Sequence, residues 1–92
     1  MNDDKRFDEI VADLYTTKES IATASQLVTY IKDPTVLAEL ELICSTMIEA
    51  TRRFKAGVPP DDLPAFHLAV KQVKIMSDDL VRACTKKITI MA

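Results

Sequence analysis

The sequence predicts an all-α fold, an antiparallel three-helix bundle, on two observations. The first is where the helix breakers sit. The 92 residues hold one glycine, Gly57, and four prolines, Pro34, Pro59, Pro60 and Pro64. Pro34 stands alone after Asp33, and the other three crowd behind Gly57. Nothing else in the chain stops a helix. The second is the phase of the apolar residues, which recur at steps of three and four between the breakers. Residues 1–92 are expected to form one domain of this kind. The alternative is a helical hairpin pair that completes a four- or six-helix bundle by dimerising.

The first helix is expected over residues 5–32. Its seam is Phe7, Ile10, Leu14, Thr17, Ile21, Ala24, Val28 and Ile31, a heptad-like repeat suited to shallow-angle packing. Thr16-Thr17-Lys18-Glu19 has the form of a capping box. The seam keeps its phase across that point, so one continuous helix is predicted. Lys32-Asp33-Pro34 then makes a tight connection, because aspartate caps well and proline is favoured at the first helical position.

The second helix is expected over residues 34–56. Its apolar positions, Val36, Leu37, Leu40, Ile43, Cys44, Met47, Ile48, Ala50 and Phe54, form a stripe broad enough for two neighbours. Leu42 lies on another face. Arg52, Arg53 and Lys55 suit the negative end of the helix dipole, and Gly57 fits the left-handed position that ends a helix. Two prolines stiffen the next connection, Val58–Asp61, and Asp61 or Asp62 is expected to cap the third helix.

That helix is expected over residues 62–87, with the seam Leu63, Phe66, Val70, Val73, Ser77, Leu80 and Cys84. Arg82, Lys86 and Lys87 place positive charge at its end. The tail Ile88–Ala92 is apolar and β-branched, and reads as lying past the helix. Leu14, Leu40, Met47, Val73 and Leu80 are expected in the core. Cys44 and Cys84 are expected there too, as reduced, buried thiols.

Aromatic residues make up 5% of the chain and tryptophan is absent, so the core must be built from aliphatics, methionine and alanine. The net charge of -2 argues against a strongly basic nucleic-acid binder. The charges are unevenly spread. Residues 1–50 hold ten acids and four bases, and residues 51–92 hold four acids and eight bases. The two halves can therefore attract each other within a bundle or between subunits. No run approaches the roughly 18 apolar residues of a membrane span. The N-terminus lacks the apolar stretch of a secretion signal. A cytoplasmic protein without membrane attachment is expected.

The motifs that carry chemistry are missing. One histidine and two cysteines 40 positions apart supply no local metal motif. No glycine-rich phosphate loop and no G-x-S-x-G turn occur. Asp61–Asp62 and Asp78–Asp79 are adjacent pairs, which diverge by about 100° on a helix and cannot act as dyads. No cofactor and no catalytic residue are expected. His67, beside Phe66, reads as a surface or boundary residue. Arg52, Arg53 and Lys55 form the one dense basic cluster, with no interleaved aromatics for base stacking.

The long three-helix layout, with threonine- and alanine-punctuated seams, is similar to many helical interaction modules. Single bundles of the spectrin or vinculin kind and small bacterial secretion chaperones are examples, and no motif ties the chain to one of them. The function expected is a non-enzymatic interaction module: an adaptor, regulatory subunit or small chaperone that offers a helix face or groove to a protein partner, and that can also self-associate. Candidate partner-binding residues are Arg52, Arg53, Ile88, Ile90 and Met91. The alternatives are phosphotransfer through His67 and weak nucleic-acid binding through the basic second half.

Overall fold

The structure, a computed structural model, describes the backbone of residues 2–91 and the side chains of residues 5–90. The described residues form α1 (Asn2–Ile31), α2 (Pro34–Ala56), a 3-10 turn at Pro60–Asp62 and α3 (Leu63–Met91), with no strand among them. The expected all-α three-helix bundle is what forms. It is a slim rod of 50 × 20 × 16 Å.

Local chemistry explains the helix ends. α1 runs without a break through Thr16 and Thr17. Their hydroxyls donate to the carbonyls of Ala12 (2.9 Å) and Asp13 (2.7 Å) in the preceding turn. The capping-box residues thus back-bond inside a helix and do not start one. At the first connection Lys32 takes a positive φ of 55°, and its N–H donates to Val28 O (3.1 Å). Asp33 caps α2 by accepting from the Thr35 amide (2.9 Å), with Pro34 behind it. Lys87 of α3 binds the same carboxylate. That ammonium, aided by the Thr35 amide, holds the Asp33 carboxyl below its ordinary pKa, and Asp33 in turn raises Lys87.

Gly57 ends α2 with φ 103° and ψ 126°. The φ is positive as expected, but the ψ lies outside the left-handed helical basin, in territory that glycine alone occupies easily. Its N–H donates to Arg53 O and Phe54 O. The expected Asp61 or Asp62 cap does not form on the following turn. The chain winds into 3-10 geometry, Asp62 N–H donating to Pro59 O (2.9 Å), without a side-chain cap.

α3 is longer than expected. It continues past Lys87 to Met91, so the tail is not a separate segment beyond the helix. The sequence offers no breaker there, and β-branched residues lower helix propensity by only a few tenths of a kcal/mol each. Ile88 is half-buried and Ile90 is 75% exposed. The side chain of Met91 lies outside the described residues.

α1 and α3 share the most extensive interface, and they run parallel. The ties Asp13–His67, Ser20–Asp78 and Asp33–Lys87 advance in the same direction along both helices. α2 lies antiparallel against the pair. The core falls into two clusters. One, near the α1–α2 connection, joins Ala24, Val28, Val36, Leu40, Ile43, Val73, Leu80 and Cys84. The other, near the α2–α3 connection, joins Ile10, Leu63, Phe66 and Val70, flanked by Leu14, Ala50, Phe54 and Val58. All seven seam residues of α3 are buried. Leu40, Val73 and Leu80 take the core places expected of them. Leu14 and Met47 do not: they are half-buried at the cluster edges, where α1 and α2 share a less extensive interface than α1 and α3.

Candidate functional site

Two kinds of feature could carry function, a polar layer inside the bundle and the long grooves on either flank of α2. The polar layer lies on the α1–α3 seam. His67 is 6% exposed, so the expected surface position is wrong. Its Nε2 lies 3.1 Å from Asp13 Oδ2. A carboxylate only accepts, so His67 donates from that nitrogen. Lys74 Nζ stands 3.7 Å from the other Asp13 oxygen. Beyond it the buried hydroxyls of Thr17 and Ser77 bond backbone carbonyls of their own helices, and Ser20 donates to Asp78 (2.7 Å). No buried side-chain polar atom among the described residues lacks a partner. The layer is a satisfied structural network, and it occupies the nitrogen that a phosphotransfer histidine would present. The sequence hid this because the partner, Asp13, is 54 positions away.

The flanks of α2 are different. The α1–α2 groove holds a cleft of about 550 Å³. Ile21 of α1 with Cys44, Met47 and Ile48 of α2 form its apolar floor, and Lys18, Arg52 and Lys55 stand around it. Cys44 is thus half-buried in a groove wall and not in the core, whereas Cys84 is fully buried. Burial pushes the Cys84 thiol up in pKa, against the opposing pull of Lys87. The same groove continues toward the first connection as a second cleft of about 420 Å³, lined by Val28 and Lys32 of α1 and by Leu37 and Leu40 of α2.

The α2–α3 groove has mixed charge. Arg53 turns into it with its guanidinium 5.5 Å from the centre of the Phe66 ring, a cation–π contact. Phe66 stacks on Phe54 (5.9 Å), which in turn meets Phe7 of α1 (4.8 Å). Glu49, Glu39 and Asp79 also line this flank, with Leu42 and Met76 between them. Arg52 and Arg53, adjacent in sequence, therefore serve opposite grooves, as the helical rotation of about 100° per residue requires. The structure does not gather the proposed partner-binding residues into one place. Ile90 lies at the far end of the rod, beside Ile31, Pro34 and Lys87.

No group of His, Cys, Asp or Glu side chains among the described residues is placed to hold a metal ion. No helix is long and apolar enough to cross a membrane. Comparison of the chain with protein-family models, with curated proteins and with solved structures finds no match in any of the three.

Proposed function

We propose that this chain is a non-enzymatic interaction module that presents a helix groove to a protein partner. The observation that carries the reading is the amount of apolar side chain left on the flanks of so small a bundle. Eleven large apolar residues are exposed among the described residues, including Phe7, Tyr15, Leu37, Leu42 and Ile48. The accessible surface is 6404 Å² for a mass of 10.3 kDa, where a folded monomer of that mass typically exposes about 5,400 Å². A satisfied polar interior beside uncovered apolar grooves supports binding over chemistry. The engaged Nε2 of His67 and the mixed charge around Arg53 speak against phosphotransfer and nucleic-acid binding as first readings.

A photo-crosslinking amino acid tests this. It is placed in turn at Ile48 on the α1–α2 flank, Leu42 on the α2–α3 flank and Ile75 on the outer face of α3, in the full chain within its native host. The expected result is a protein adduct at one flank that disappears when a neighbouring apolar residue on that flank becomes aspartate. Absence of adducts at all three positions, with phosphate incorporated at His67 or nucleic acid co-purifying, overturns the reading.

A further inference from the structure

We infer that the α1–α2 groove is a docking track for one acidic amphipathic helix of a partner protein. This inference rests on the interaction-module reading and adds the partner's chemistry.

Length is the first argument. The two clefts of this flank share α2 from Pro34 to Lys55, a span of roughly 30 Å at about 1.5 Å per residue. That is the length of a helix of about 20 residues. A compact small molecule fills only a fraction of such a track. Spacing is the second. The lining steps along α1 as Lys18, Ile21, Ser25, Val28, Thr29 and Lys32, the i, i+3, i+4, i+7 pattern by which one helix meets another. α2 offers its own turn-by-turn series, with Leu37 45% and Ile48 60% exposed. Exposed Phe7, Val11 and Tyr15 extend the α1 side by the same steps.

Charge names the sign of the partner. Lys18, Lys32, Arg52 and Lys55 line the track. Three of them form no ion pair among the described residues, and Arg52 only touches Glu49 at 3.5 Å on an exposed edge. The single carboxylate in the lining, Asp33, is already bound by Lys87. No other Asp or Glu lines either cleft, so the track is cationic overall. A helix with an apolar stripe flanked by Asp and Glu would cover the floor and neutralise the edges. The α2–α3 groove lacks this match, since its one arginine is taken by Phe66 and the rest of its charge is largely acidic.

The test uses three labelled synthetic peptides of about 20 residues, the groove length, titrated against the full chain by fluorescence anisotropy. The first has leucines at i, i+3, i+4 and i+7 flanked by glutamates. The second keeps the leucines and carries lysine flanks. The third has the composition of the first in scrambled order. The first is expected to bind, more weakly in high salt, and the other two to fail. Reversing Lys18, Arg52 and Lys55 together to glutamate is expected to weaken the first by about tenfold and to admit the second. Ile48→Asp should abolish binding. These positions are solvent-exposed or on the groove rim, and circular dichroism confirms that each variant stays folded. Equal binding of the first two peptides, binding of the scrambled one, or no binding of any overturns the assignment. So does a dimer by light scattering that Ile48→Asp splits, because the occupant is then a second copy. Adducts from Leu42 or Ile75 alongside peptide failure would leave the module reading standing and remove only this groove.

Discussion

The two ends of the bundle bury apolar surface by different means. Near the α2–α3 connection a few large rings do it: Phe66 is buried under Phe54 and Arg53, and Phe54 leans on Phe7. Near the α1–α2 connection the work is spread over small and medium aliphatics, with Ala24 and Cys84 fully buried where α1 and α3 approach. Between them the α1–α3 seam turns polar, through Asp13, His67, Thr17 and Ser77. The polar layer ties α1 to α3 in one register, because a shift of one turn would part the buried His67 donor from the Asp13 carboxylate. The contrast teaches that the apolar ends supply stability and the layer fixes the register in which α1 and α3 run parallel.

The largest effects test whether the two clusters are separate. Phe66→Ala is expected to cost about 3–5 kcal/mol and Leu80→Ala about 2–5 kcal/mol in urea unfolding. The double variant should equal the sum within about 0.5 kcal/mol, since the sites share no partner. A larger coupling would merge the two regions into one core.

Removing the acceptor in the polar layer comes next. Asp13→Ala should cost about 1–3 kcal/mol by stranding the His67 donor, while Asp13→Leu with His67→Leu should recover most of it. If the pair is no better than the single change, the layer is not what separates the clusters.

The two connections differ in the same spirit. Gly57→Ala should cost about 1–3 kcal/mol, entirely from its backbone angles, because a Cβ there meets nothing within 4 Å. Lys32 already tolerates a positive φ, so Lys32→Gly should be neutral or stabilising by up to about 1 kcal/mol. A neutral Gly57→Ala in thermal melts would mean that this connection relaxes freely.

The smallest effects concern the ends themselves. A thiol-reactive dye should label Cys44 faster than Cys84 in the native protein, since only Cys84 is fully buried and raised in pKa. Equal rates would show the aliphatic cluster open to solvent. The Asp33–Lys87 tie predicts an acid limit. Asp33 is held below the ordinary 3.8, so its contribution is complete above that pH and fades as pH falls through the lowered value. Lys87 is raised above 10.5, so its share persists below that pH and is lost as pH rises through the raised value. The melting-temperature gap between the parent chain and Asp33→Asn should therefore be widest at intermediate pH, closing in strong acid and narrowing again in strong alkali. A gap that stays constant across the whole acid limb of the titration would break the assignment.

The helices were legible because their causes are local. Breakers at Asp33–Pro34 and Gly57 set two of the three boundaries, and the in-phase seam of α3 marked every buried position of that helix except His67. The end of α3 was misread because β-branched residues after Lys87 suggested a stop, where the chain supplies none. The groove was legible only as parts: Lys18, Cys44, Ile48 and Arg52 were each visible, but their meeting across α1 and α2 was not.

By itself the sequence determined the helical class, the two connections and the residues able to face a core, since period and capping act within a few residues of one another. Tertiary structure decided which of those residues are covered. It buried His67 against Asp13, left Leu14, Met47 and Cys44 at the edge, and sent Arg52 and Arg53 to opposite grooves. Coverage depends on which helix arrives as a neighbour and in what register, and that is a property of residues tens of positions apart.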